Sequence, residues 1–242
     1  MSDKRKDAIL ITGVGKRVGF VLAKHFLAVG YEVIGTYRSD RSQIKILMSA
    51  GADLYQCDFN QQNQVDAFIQ KIIQRYQSLR MVIHNASAWL PDDCEHSAVS
   101  VLNQMMTVHV NVPYQMNLAF EALLTTSSES VGQRDIIHIS DFVATKGSTK
   151  HIAYAASKAA MDNLTYSFAA KLAPTTKVNS IAPALIMYND EDTDSYKLKA
   201  ASKSLMGIVA GVDELINTVN YVMNSHYVTG RVLHLDGGRH LK

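Results

Sequence analysis

Apolar positions along this chain recur in two periods, and the switches between them lay out its architecture. Residues 8–12 form a short apolar run, after which Val18, Val21, Leu22, Phe26 and Val29 fall on one helical face. The exchange then repeats. Residues 31–36 read as a second strand and 54–56 as a third. Val65, Phe68, Ile69, Ile72 and Tyr76 mark a helix, and 81–84 a fourth strand. A long helical pattern spans 97–124 and is interrupted at Asn111-Val112-Pro113. Pro113 has no N–H for the carbonyl of His109, so the spacing predicts a kink there. Residues 135–140 give a fifth strand, 177–181 a sixth ending at Pro183, and 232–235 the last. Before the sixth strand, Tyr154, Lys158, Met161, Leu164, Phe168 and Leu172 share one face of a helix. Strands alternating with helices at this spacing predict an α/β fold: a single doubly wound parallel sheet with helices on both faces. Ligands are then expected at the carboxyl ends of the strands. With no repeat or second pattern to divide it, the chain is expected to form one domain over residues 1–242. Residues 184–204 are polar and include the acidic run from Asn189 to Asp194. Their expected form is a solvated loop, placed where it can act as a lid over substrate.

Composition excludes more than it selects. The 242 residues are 47% hydrophobic and 19% charged, ordinary for a globular chain with a full core. A net charge of +2, without a basic stripe interleaved with aromatics, gives no reason to expect nucleic acid. No apolar run approaches the roughly 18–20 residues of a membrane span. The basic start leads into only a short apolar stretch, with no small-residue cleavage site. Cys57 and Cys94 match no metal-ligand spacing and make no disulfide framework. No metal is therefore expected, and a reducing, cytoplasmic setting is.

Two stretches carry chemistry. The turn Gly13-Val14-Gly15-Lys16-Arg17-Val18-Gly19 joins the first strand to the first helix, the context a dinucleotide fingerprint requires. Gly13 permits the tight turn, Gly15 lets backbone approach a pyrophosphate, and Gly19 lets helix pack on strand. N–H groups at the helix start favour the phosphates. A sheet with this turn is Rossmann-type. Some twenty residues on, where an acid would meet the ribose of NAD, the chain reads Tyr37-Arg38-Ser39. A guanidinium fork between two hydroxyls suits a 2′-phosphate, hence NADP, while Asp40 leaves NAD open. The second stretch is Ser140-Asp141-Phe142 with Tyr154 and Lys158, the last two on one helical face. An ammonium about 4 Å from the phenol lowers its pKa by roughly three units at an effective dielectric of ~20. Tyr154 is thereby expected near the working range of a general acid.

Thr12-Gly13 with Gly19, Asn85-Ala86, Asn111, Tyr154-x-x-x-Lys158 and the ending Asp236-Gly237-Gly238 together resemble the short-chain dehydrogenase/reductase family, over essentially the whole chain. Three departures are similar to its pteridine reductase branch: Arg17 for the middle glycine, Ser87 after Asn85-Ala86, and Asp141 for the serine thirteen residues before the tyrosine. The resemblance implies NADPH-dependent reduction of a dihydropterin, with dihydrofolate as a further substrate, by a homotetramer. It implies that Tyr37, Arg38 and Ser39 hold the 2′-phosphate, that Asp58, Asn85 and Ala86 border the adenosine, and that Gly13, Gly15, Val18 and Gly19 form the phosphate turn. Arg17 and Ser87 are to reach the pyrophosphate or the pterin edge. Trp89 is to wall a slot opposite the nicotinamide. Asp141 is to hydrogen-bond Tyr154 and relay a proton, Lys158 to hold the nicotinamide ribose, and Asn111 to orient a water at the kink. Pro183-Ala184 stands where the family has Pro-Gly, with Ile186 beyond it on the carboxamide side. A ketone or 3-oxoacyl reductase is one alternative, and Asp141 in place of serine counts against it. A silent NADP-binding protein is another, opposed by intact Tyr154 and Lys158.

Arg38→Ala is expected to raise the KM for NADPH about 10- to 150-fold, the loss of one charge-assisted hydrogen bond, and to leave that for NADH nearly unchanged. Steady-state kinetics with both cofactors check this. Equal weakening would remove Arg38 as the discriminator.

Overall fold

The computed structural model describes residues 7–125 and 133–242. Strand β1 (Ala8–Ile11) leads into α1 (Arg17–Ala28), β2 (Val33–Tyr37) into α2 (Ser42–Ser49), and β3 (Asp53–Gln56) into α3 (Gln62–Arg75). After β4 (Leu79–His84) come α4 (Ala98–Met106), a π-helical turn (Thr107–Asn111), α5 (Val112–Ala119) and α6 (Glu121–Thr125). Then follow β5 (Arg134–Ile139), the short α7 (Val143–Lys146), α8 (Ile152–Leu172) and β6 (Thr176–Pro183). The chain ends with α9 (Asp194–Ala201), α10 (Val212–Asn224), β7 (Val232–Leu235) and a 3₁₀ turn at Arg239–Leu241.

Seven strands form one sheet in the order β3-β2-β1-β4-β5-β6-β7, and every pairing is parallel. The expected doubly wound sheet is therefore present. Neighbouring residues on a strand face opposite sides, so each strand feeds two cores. Leu10, Val82, Ile136 and Val178 pack with Phe68, Ile72, Met116, Phe168 and Leu172 on the α3, α5 and α8 side. Ile9, Ile11, Ile83, Ile137 and Ile181 pack with Leu22, Phe26, Leu47, Leu215 and Val219 on the α1, α2 and α10 side. With both faces covered, the strands read as continuous apolar runs rather than alternating ones. Strand order reverses between β1 and β4, and a crevice opens there at the carboxyl ends.

Two expectations change. The interruption of the 97–124 pattern is a π turn lying just upstream of Pro113, in which the Val112 N–H reaches the Thr107 carbonyl. Proline cannot donate, and widening the preceding turn by one residue accommodates it without breaking the helix. The polar segment 184–204 is not loop throughout. Its acidic run leads into α9, whose N-terminus is capped by the Thr193 hydroxyl accepting from Tyr196 N–H at 3.3 Å. Among the described residues no helix is long and apolar enough to cross a membrane.

Among the glycines, that at the joint between β1 and α1 is the most tightly enclosed. A Cβ on Gly19 would overlap the Gly13 carbonyl oxygen and come within 2.5 Å of Asn85 Nδ2, whereas one on Gly15 would meet nothing nearer than 3.7 Å. Gly19→Ala is therefore expected to cost about 1–3 kcal/mol, the usual range for overpacking, or roughly 2–12 °C in melting temperature. Gly15→Ala should melt close to wild type while weakening dinucleotide binding. Thermal melts and cofactor titrations of the two variants check the contrast.

Candidate active site

Strand ends and helix starts converge on the crevice. At β1, the Thr12 hydroxyl accepts from the N–H groups of Asn85 and Ala86 at 3.0 and 2.9 Å. Asn85 Nδ2 donates to the carbonyls of Thr12 and Gly13 at 2.9 and 3.2 Å. Asn85, expected to border adenosine, thus uses its amide to staple the ends of β1 and β4 together. Gly13 takes φ +75°, and its N–H donates to the Thr36 hydroxyl at 3.2 Å. No side chain caps the start of α1 at Lys16. Open first-turn N–H groups beside a glycine turn fit a dinucleotide's pyrophosphate. Val18 is half-buried in that first turn.

At the carboxyl ends of β2 and β3, Arg38 and Asp58 line a 580 Å³ cleft together with Gln56 and Lys71. Tyr37 is half-buried beside it and Ser39 is exposed. Lys71, on α3, is a second cation in this cleft that sequence reasoning passed over, because nothing in its helical spacing distinguishes it from a solvated lysine.

Arg17 has φ +51°, left-handed backbone in a residue that bears a Cβ. That conformation costs roughly 1–2 kcal/mol outside glycine, which explains why glycine is the usual occupant. Its guanidinium donates to the Met187 carbonyl at 3.0 Å and to Asn189 Oδ1. The phosphate turn is thereby tied to the segment after β6. Within that segment Ile186 is buried and its carbonyl accepts from Gly211 N–H at 3.0 Å, while the Pro183 carbonyl accepts from Phe142 N–H at 3.1 Å.

Asp141 follows β5 and Tyr154 lies in the first turn of α8. Tyr154 OH is 2.9 Å from Asp141 Oδ2. Burial pushes the Asp141 carboxyl above its ordinary pKa, against the opposing pull of Val143 N–H, Tyr154, Lys158 and Arg239. Burial, then the Asp141 carboxylate, hold the Tyr154 phenol well above its ordinary range, with the Ser87 hydroxyl acting the other way. The expectation of a lowered phenol is overturned. Lys158 Nζ donates to the Ile139 carbonyl at 2.7 Å and lies 5.7 Å from the Tyr154 ring centroid. Burial lowers Lys158 itself to about 8, with Asp141 and Asp162 opposing. The shift favours the neutral phenol, the form that donates to Asp141.

The π turn brings a further residue to the site. Asn111 is exposed at its end; the polar side chain that the turn carries into the site is that of His109, fully buried. Its Nε2 lies 2.8 Å from Ser87 Oγ and its Nδ1 2.8 Å from Ser157 Oγ, and its ring meets Tyr154 edge-on at 5.4 Å. A histidine inside an apolar helical pattern four residues before a proline was the available signal. Trp89 is 63% exposed, so it is no core residue, and it stacks on His151 with ring centroids 4.0 Å apart. Asp92 fixes this loop: its carboxylate accepts from the N–H groups of Ile152 and Ala153 at 2.5 and 3.3 Å, capping the helix that bears Tyr154. Among the described residues no cluster of histidine, cysteine or acid could hold a metal.

Comparison with known proteins agrees with the geometry. A family profile described as enoyl-(acyl carrier protein) reductase matches residues 13–240. The chain belongs to the short-chain dehydrogenase/reductase family. Dihydromonapterin reductase of Escherichia coli (strain K12) is 48% identical to it over 234 residues, covering 97% of each chain. The dihydromonapterin reductase of Escherichia coli O139:H28 (strain E24377A / ETEC) is 48% identical over 242 residues, 100% of both. Among solved structures, FolM alternative dihydrofolate reductase 1 from Brucella suis in complex with NADP superposes with a TM-score of 0.82 at 23% identity, covering 98% of this chain and 96% of that one.

Asp92→Ala removes the cap on α8 and frees the Trp89 loop. A lost cap costs about 0.5–2 kcal/mol, so the melting temperature should fall by roughly 1–8 °C. Trp89 is the only tryptophan, and its fluorescence anisotropy should drop in the variant. Unchanged anisotropy would mean that the loop is held by other contacts.

Proposed function

We propose that this chain is an NADPH-dependent dihydropterin reductase. It converts dihydromonapterin to its tetrahydro form and accepts dihydrofolate as a further substrate. The observation that carries the reading is the 2.9 Å pairing of Tyr154 with Asp141, a carboxyl where ketone reductases of this family have serine. The two dihydromonapterin reductases at 48% identity support it, and so do the motifs Asn85-Ala86-Ser87-Ala88-Trp89 and His151 to Lys158, which resemble theirs.

NADPH supplies the hydride. The exposed fork of Arg38, with Lys71 across the same cleft, suits the 2′-phosphate that separates NADP from NAD. Gly13, Gly15, Val18 and Gly19 receive the pyrophosphate, Asp58 and Ala86 flank the adenosine, and Lys158 faces the nicotinamide ribose. Trp89 offers the flat wall against which a pterin ring stacks, with Ser87 and Arg17 at its polar edge. The reduced bond is C=N: carbon takes the hydride and the adjacent nitrogen takes a proton. Tyr154, held as a neutral phenol, and Asp141, whose raised pKa keeps it protonated further up the pH scale, together donate that proton, directly or through a water. Segment 184–204, latched by Arg17, serves as the lid over one catalytic domain. Exposed Tyr114, Leu118 and Tyr166 on α5 and α8 support assembly into a homotetramer, and the free thiols of Cys57 and Cys94 suit a reducing cytoplasm.

The direct test follows NADPH absorbance with dihydromonapterin, dihydrofolate, a 3-oxoacyl thioester and a simple ketone. Oxidation only with the latter two would favour a carbonyl reductase, and NADPH binding without oxidation a silent binder. Asp141→Ser is expected to keep NADPH binding and lower kcat with dihydropterin about 10²–10⁴-fold, the usual worth of acid–base assistance. In wild type the protonated acid is lost as pH rises through the raised Asp141 pKa, so the rate falls over that range; the serine variant should lack this limb. A near-native kcat with an unchanged profile between about pH 5 and 9 would exclude Asp141 from proton delivery.

A further inference from the structure

His109 holds the key to how Ser87 meets a ligand. Four hydrogen bonds fix the chemistry of its ring. Ala88 N–H, which can only donate, points at His109 Nε2 at 3.3 Å. Nε2 is therefore the unprotonated nitrogen, and the ring proton is on Nδ1. That proton goes to Ser157 Oγ at 2.8 Å, and Ser157 passes its own to the Tyr154 carbonyl at 2.7 Å. The chain of donors runs in one direction and is consistent throughout. Burial, with the Lys158 cation nearby, keeps the imidazole neutral well below its ordinary pKa.

The remaining partner of Nε2 is Ser87 Oγ at 2.8 Å. Since Nε2 is an acceptor, the serine hydroxyl must donate. Its other available acceptor, the Ala88 carbonyl, is farther off at 3.3 Å. Ser87 has one proton, and His109 takes it. Ser87 is exposed, two residues before Trp89. What it offers there is lone pairs alone.

We propose that His109 is a positioning residue: by committing the Ser87 proton inward, it makes Ser87 a hydrogen-bond acceptor in the slot and so selects a ring edge that carries N–H donors, such as the amino group of an aminopyrimidine, over one that carries carbonyls. The assignment deepens the proposed function and rests on it for the identity of the ring.

The test separates the two. Pterin and lumazine, in which the 2-amino donor is replaced by a carbonyl acceptor, are titrated into the NADP-bound protein, with quenching of Trp89 as the readout. Wild type should prefer pterin by about 10-fold, the worth of one hydrogen bond exchanged for an unpaired group. His109→Gln, whose carbonyl can occupy the place of Nε2, should keep most of that preference. His109→Asn, which is too short to reach Ser87 but remains polar, should lose it, as should Ser87→Ala. The double variant Ser87→Ala with His109→Asn should lose no more than Ser87→Ala alone. In ¹⁵N-histidine-labelled protein, the resonance that disappears in His109→Gln should show a proton on Nδ1. Protonation on Nε2, additive losses in the double variant, or a wild-type preference in His109→Asn would each overturn the assignment. Wild type that prefers pterin but reduces no dihydropterin would defeat the proposed reaction and leave the assignment standing. Wild type that binds neither ring would defeat both.

Discussion

Lys158 is an ammonium in the interior, 2% exposed, and taking such a charge out of water costs several kcal/mol unless partners meet it. The Ile139 carbonyl meets it directly. The charges of Asp141 and of Asp162, one helical turn on, favour it as well. Asp162 is itself held by the Ser180 hydroxyl at 2.7 Å. These requirements set the local architecture. A carboxyl must follow β5, the last carbonyl of β5 must point inward, and α8 must lie close enough to present Lys158 and Asp162 together. The same cation reaches outward to other groups, acting against protonation of His109 and His138. Burial, with that cation adding to it, holds both imidazoles below their ordinary range.

The π turn connects backbone chemistry to the site. Pro113 cannot complete a regular helix, and the wider turn that precedes it carries His109 inward and leaves Asn111 outside. A regular helix through 107–111 would place those side chains in another rotation. The proline thus acts at a distance of four residues, by choosing which polar group the crevice receives.

Much of this was legible in the sequence because the relevant signals are local. Alternating periods gave the strands and most helices, since a residue's face follows from its number in a strand or helix. Asp141 and Tyr154 were legible as a pair, and the glycine turn was legible from its context. The electrostatics were not. Spacing placed Lys158 near Tyr154 but could not show that burial, with Asp141 alongside, raises the phenol's pKa. The use of Asn85 as a staple depends on β1 and β4 being neighbours, which spacing does not reveal. His109 was missed because the twist of a π turn displaces one residue's side chain relative to helical counting. The α9 helix was hidden by its charge, and its Thr193 cap is visible only once the chain direction there is known.

Arg17 belongs to two parts of the molecule at once. Its backbone is part of the glycine turn, while its guanidinium holds Met187 and Asn189. On the proposed function, a pyrophosphate seated in the turn is a competing acceptor for the same fork. Linkage makes that exchange reciprocal: whatever the cofactor does to the freedom of residues 187–189, ordering those residues does to cofactor affinity by the same factor. One side chain thereby couples the glycine turn to the segment that follows β6.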